Sequence, residues 1–151
     1  MKMGIRRSIM MAMGLFGLLG CAGTPPANLG VHNGMLTKCP ASPNCIASQT
    51  ENPQQRINAF TFTSDPTAAL SRLQETLASR KDTTIIEARP DYLRVEFRTA
   101  LFVDDGEFLL DRDHQVIHVR SASRLGYSDL GKNRSRMEEL RRQFELSLKK
   151  P

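Results

Sequence analysis

"DTTIIEARPDYLRVEFR", residues 82–98, decides the fold, together with "LFVDDGEFLL" at 101–110 and "QVIHVRSAS" at 115–123. In "YLRVEFR" the apolar Leu93, Val95 and Phe97 alternate with Tyr92, Arg94, Glu96 and Arg98. A period of two marks a strand with one face turned to a core. "DTTIIEAR" reads as a strand too, joined to the next through Pro90-Asp91. "LFVDDGEFLL" and "QVIHVRSAS" are a third and fourth, with "DRDH" turning between them. Connections this short force neighbouring strands to run antiparallel.

Working outward, "SDPTAALSRLQETLASR" (64–80) predicts a helix. Asp65 is its N-cap and Pro66 its first helical residue, where a missing N–H costs nothing. Leu70, Leu73 and Leu77 form one stripe. "INAFTF" (57–62) ahead of it is β-prone. The chain closes on a second helix, whose stripe is Met137, Leu140, Phe144 and Leu148 with Arg and Glu outside. The order is β-α-β-β-β-β-α. It predicts an α+β domain: an antiparallel sheet of about five strands with helices on one face.

Pairing Leu110 with Gln115 sets Asp105 opposite Arg120, Glu107 opposite His118 and Asp104 opposite Ser121. Asp105, Glu107, His118 and Arg120 then share one face. Asp104 falls on the other, with Phe108, Leu110, Ile117 and Val119, where a carboxylate needs a hydrogen-bonding partner. Gly106 in mid-strand suggests a bulge. Three readings fit the acidic cluster Asp104, Asp105 and Glu107: a divalent metal with His118, acid–base catalysis, or cross-strand ion pairs on an ordinary charged face. Exposed pairs of that kind contribute only ~0–1 kcal/mol each.

The formal net charge is +5, but three of the 21 basic residues, Lys2, Arg6 and Arg7, fall in the first 20 residues, which hold no acid. The remainder carries 18 bases against 16 acids, too balanced for the basic field that nucleic-acid binding needs. "MKMGIRR" is a basic n-region and "SIMMAMGLFGLL" an apolar h-region, shorter than a spanning helix requires. "LLGC", ending at Cys21, resembles the bacterial lipobox, whose cysteine is lipidated and becomes the first mature residue. Residues 1–20 are thus expected to be a lipoprotein signal peptide and 21–38 a lipidated N-terminus and tether, followed by a single domain over 39–151. Ala22, rather than Asp, follows the cysteine, which leans towards the periplasmic side of the outer membrane over the inner membrane.

Cys39 and Cys45 of "CPASPNC" remain. Two cysteines surviving export usually pair, and closing so short a loop contributes about 2 kcal/mol. Free thiols or a metal pair are the alternative, although the spacing is not C-x-x-C and no histidine follows at finger spacing.

"VRSASRLGYSDLGKNRSR" (119–136) crowds donors where a strand becomes a helix. Ser128, Asp129 or Asn133 is a candidate cap. Arg124, Arg134 and Arg136 sit where positive charge opposes the helix dipole, so something negative must compensate: Asp105, Asp129 or Glu138, or a bound phosphate, carboxylate or sugar acid. The candidate ligand-binding residues are Arg120, Ser121, Ser123, Arg124, Tyr127, Ser128, Asn133, Arg134 and Arg136. No nucleophile-elbow, phosphate-loop, zinc or dinucleotide signature is present, so neither catalytic residues nor a cofactor or metal are expected.

Two motifs taken together, Cys-Pro-x-Ser-Pro-Asn-Cys at 39–45 and Arg-Ser-x-Ser-Arg-x-Gly-Tyr-Ser-Asp-x-Gly-x-Asn-Arg at 120–134, closely resemble the bacterial and plastid family called domain of unknown function 1499. The resemblance runs from about Leu29 to Arg142 and also takes in Ser48, Asp104, Asp105, Glu107 and Arg136. Ala47 departs from it where serine is usual, and Gly106 where a larger apolar residue is usual. The resemblance implies no established activity. The primary expectation is a membrane-anchored periplasmic lipoprotein that binds a small anionic molecule or an envelope component, without nucleic acid. The alternatives are a metal-dependent or acid–base hydrolase using Asp104, Asp105 and Glu107, and a purely structural envelope protein.

Overall fold

The structure is a computed structural model that describes residues 23–149; the expected signal segment at 1–20 and the expected lipidation site Cys21 lie outside the described residues. In chain order the elements are β1 (Val31–His32), β2 (Met35–Leu36), β3 (Cys45–Ala47), β4 (Phe60–Thr61), α1 (Pro66–Ala78), β5 (Thr83–Arg89), β6 (Tyr92–Arg98), β7 (Val103–Asp111), β8 (Val116–Ser123) and α2 (Lys132–Leu148). The fold is α+β. Five strands run in the order β3-β8-β7-β6-β5, every neighbouring pair antiparallel, and β4 pairs with the far end of β8. Both helices lie on one face.

Asp65 caps α1, its carboxylate accepting the Ala68 N–H at 2.9 Å. The stripe Leu70, Leu73, Leu77 meets Met137, Leu140 and Phe144 of α2 over Leu93, Val95, Phe97, Phe108, Leu110, Ile117 and Val119. Phe60 of β4 stacks on Phe144 with ring centres 5.8 Å apart, closing the core at that edge. Each large side chain sealed here contributes about 1.5–3 kcal/mol.

The β7–β8 register differs from the expected one by two residues. Leu110 pairs with Ile117, Glu107 with Arg120, Asp105 with Ala122 and Asp104 with Ser123. The turn is Arg112–Gln115, one residue later than expected, because Asp111 belongs to the strand and pairs with Val116. Its carboxylate accepts the N–H groups of Asp113 and His114, and Gln115 closes the turn at φ 53°. A shift of two leaves every side chain on its expected face. Gly106 makes no bulge: it pairs regularly with Val95 and Ser121. A Cβ at this position would come within 2.4 Å of the Phe97 ring, which fills the space a larger residue would take. The sheet's irregularity lies in β5, between Ile85 and Glu87.

Part of the stretch assigned to the tether is folded. Asn33 (φ 51°) and Gly34 (φ 76°) make the left-handed two-residue turn that Asn-Gly favours, joining β1 to β2. Leu36 and Val31 pack on Tyr92 and Leu109, so this hairpin covers part of the sheet face away from the helices. The expectation of an exposed charged face is therefore corrected: Asp105, Glu107 and Arg120 are all buried.

Candidate functional site

The two motif stretches meet. Cys39 and Cys45 are bridged, and Cys45 begins β3, which pairs with the C-terminal half of β8. Cys45 lies opposite Ala122 and Ala47 opposite Arg120. Gln55 holds the loop's other limb, donating to the carbonyls of Pro40 (2.7 Å) and Ser42 (3.0 Å). Asn44 joins loop to corner: its amide donates to Gly126 O at 2.6 Å, its carbonyl accepts from Ser123 N and Asn133 Nδ2, and its Oδ1 accepts from Ser42. Ser48 ends the pairing, taking the Val119 N–H at 2.9 Å and lying 3.2 Å from His118 Nδ1.

The arginines of 120–136 divide by strand parity and helix phase. On the covered second face, Arg120 Nη1 donates to Glu107 Oε2 at 3.0 Å. Glu107 Oε1 also accepts from Tyr92 Oη (2.8 Å) and Gly30 N (2.7 Å). Burial and then the Glu107 charge push the Tyr92 phenol far above its ordinary range, so it stays a donor. Arg124 grips Asp105 with two bonds of 2.8 Å and reaches Glu96 at 2.6 Å. Its guanidinium is held more firmly charged than usual, the Asp105 hydrogen bonds outweighing burial. Burial alone would raise the Glu96 carboxyl, but Arg124 and Arg98 together hold it below the usual carboxylate range.

On the helix face, Asp104 meets Arg136 of α2 at 2.8 Å, and the guanidinium lies 4.7 Å from the centre of the Phe97 ring. Asn133 Oδ1 accepts from Ser121 and Arg136, and its amide donates to Ser123 and Asn44. Arg134 points elsewhere, donating at 2.8 Å to the carbonyls of Gln54 and Arg56. Asp129 is the acid at the start of α2, accepting from Asn133 N (2.7 Å) and Gly131 N (3.1 Å). The negative charge that the helix start requires is thus internal.

The nine candidate ligand residues therefore do not form one site. Ser121, Asn133 and Arg136 are buried structural partners. Tyr127 and Ser128 stand on an exposed loop, and Arg134 straps the 54–56 segment. Arg120, Ser123 and Arg124 line a cleft of about 470 Å³ together with Cys39, Pro40, Ser42 and Asn44 of the disulfide loop and with Asn28, Thr37 and Lys38. Sequence reasoning missed Lys38, Thr37 and Asn28, because composition placed them in a tether; the Asn33-Gly34 hairpin dipeptide was the available signal. It also missed Glu96, which alternation put on a face expected to be wet.

The acidic cluster is split. Asp104 faces α2 while Asp105 and Glu107 face the other side, and each is committed to an arginine. A larger cleft, about 580 Å³, lies between the end of α1 and α2, lined by Arg80, Asp82, Glu139 and Gln143. These side chains pair with one another, and no residue of either motif reaches it.

A family model described as "Protein of unknown function (DUF1499)" matches residues 35–144. The chain belongs to the DUF1499 family. No curated protein and no solved structure matches it. In this DUF1499 domain the two recognised motifs line one cleft and are stitched together at Asn44.

Proposed function

We propose that this DUF1499 chain is a periplasmic lipoprotein, anchored through Cys21, that binds a small anionic molecule in the cleft between the disulfide loop and the end of β8. The observation that carries the reading is that both motif stretches line one cleft of about 470 Å³, within the range of small-ligand sites. Arg120 and Arg124 are already neutralised by Glu107, Asp105 and Glu96. Among the described residues, the cleft charge that no carboxylate pairs with is Lys38; the Thr37 and Ser42 hydroxyls already donate to Asn28 O and Asn44 Oδ1 and so offer their oxygens as acceptors, while Ser123, whose oxygen accepts from Asn133, keeps an O–H to donate. That composition favours a compact ligand with one carboxylate or phosphate and several hydroxyls. The basic n-region, the short apolar run and "LLGC" support the anchor.

The test is thermal shift and isothermal titration of the full chain against inorganic phosphate, glucuronate and muramic-acid-containing peptidoglycan fragments. Saturable binding by at least one of them, reduced about tenfold in Lys38→Ala, is the expected result. Absence of binding to every probe overturns the cleft reading. The intact mass of the protein taken from membranes decides the anchor separately, since acylation at Cys21 disappears in Cys21→Ala.

A further inference from the structure

Large apolar side chains are exposed at eight described positions, and five of them, Leu101, Phe102, Leu125, Tyr127 and Leu130, belong to two neighbouring loops. These loops, β6–β7 and β8–α2, meet at one end of the sheet: Arg124 N donates to Val103 O, and Phe102, Leu125 and Leu130 line one cleft of about 170 Å³. Leu130 is 96 % exposed and Tyr127 76 %. Leu130 also holds φ 53°, a left-handed conformation disfavoured for a side chain of its size. A leucine kept in that conformation and bare to water is unexplained by the domain's own packing. Lys132 borders the same cleft, and Arg98 is exposed at the end of β6.

The start of the described chain lies against this patch. Gly23 O accepts from Arg124 Nη1 at 3.4 Å, and a Cβ on Gly23 would come 3.2 Å from Leu125 Cγ. Cys21 stands two residues before Gly23, with Ala22 between them, so covalent geometry keeps that cysteine within about 7 Å of Gly23. An acyl chain on Cys21 would enter the membrane beside the exposed leucines.

We propose that the loops Thr99–Phe102 and Leu125–Lys132 form a bilayer-docking edge. Leu101, Phe102, Leu125 and Leu130 enter the boundary between headgroups and acyl chains, Tyr127 sits at headgroup level, and Lys132 meets anionic phosphates. The choice of a lipid surface over a protein partner rests on the Cys21 anchor reading, which delivers this edge to the membrane. Docking would hold the domain in one orientation, with the motif cleft beside the headgroups: the two clefts share Ser123 and Gly126.

The chain contains no tryptophan, so a single Leu130→Trp reports from the patch alone. The control is Asp113→Trp, at the opposite end of the sheet, about 26 Å away along β7. Each full-length variant is purified from membranes and placed in phosphatidylethanolamine–phosphatidylglycerol vesicles, with and without brominated acyl chains, and its N-terminal acylation is read by intact mass. The expected result is a blue-shifted Leu130→Trp emission that brominated lipid quenches about twofold, with Asp113→Trp unaffected. An acylated protein whose Leu130→Trp is not quenched overturns the docking edge and leaves the anchor standing. An unacylated protein that is still quenched removes the anchor and upholds the edge. Sedimentation showing a dimer that Leu130→Asp dissolves would make the patch a self-interface and overturn docking.

Discussion

Arg136 Nη1 lies 2.8 Å from Asp104 Oδ2, with both side chains almost sealed from water between β7 and α2. This pair lets a carboxylate stand on the apolar face of the sheet. The same guanidinium rests on the Phe97 ring and donates to Asn133, so the pair ties the helix start to the β8 corner.

Replacing Asp104 with Asn leaves a buried guanidinium uncompensated. Its expected cost is about 3–5 kcal/mol, read as a fall in the urea midpoint. The double variant Asp104→Leu/Arg136→Met should recover most of the loss, since no charge then stays buried. A single variant as stable as the parent would show that the pair is solvated.

Glu107 holds three donors, from Arg120, Tyr92 and Gly30. Glu107→Gln keeps an oxygen for Tyr92 and Gly30 but turns an amide towards Arg120. A loss of about 3 kcal/mol or more is expected. Tyr92→Phe should cost less, about 1–2 kcal/mol, because Glu107 keeps two partners.

Arg120 Nε is buried without a hydrogen-bond partner among the described residues. Ala47 lies directly opposite Arg120 across the β3–β8 pair, so its side chain is on the same face. Ala47→Ser places an acceptor there. A gain of about 0.5–1.5 kcal/mol is expected, and it should vanish in an Arg120→Leu background.

Glu96 has its folded pKa depressed by Arg124 and Arg98 against the pull of burial, and Asp82 likewise by Arg80. A depressed folded pKa contributes stability that is present above the unfolded value and lost as pH falls through the folded one. Stability should therefore hold above about pH 5 and decline below about pH 4. Glu96→Gln should lower stability at pH 7 and flatten that decline. An unchanged acid limb would remove Glu96 from the account.

Strand alternation in "YLRVEFR", the Asp65-Pro66 cap and the stripe Met137, Leu140, Phe144 already specify the helices, the four long strands and which face each residue takes. Expected and observed faces agree even though the β7–β8 register moved by two. A period of two carries parity, and parity survives a shift of two. The identity of each partner does not survive it. Arg120 pairs with Glu107 and Arg124 with Asp105, whereas the expected register set Asp105 opposite Arg120.

Other features depended on contacts between residues far apart in the chain. The Glu107 site is completed from far upstream, where the hairpin packs on Tyr92 and Leu109 and Gly30 N reaches across to the carboxylate, while Asp105 is closed over by Arg124 of the β8–α2 corner. The cleft exists because Asn44 bonds to Gly126, Ser123 and Asn133, a closure no local pattern encodes. Local periodicity records how a side chain is turned. Which opposite charge it meets, and whether water is excluded from the pair, depend on segments that only folding brings together.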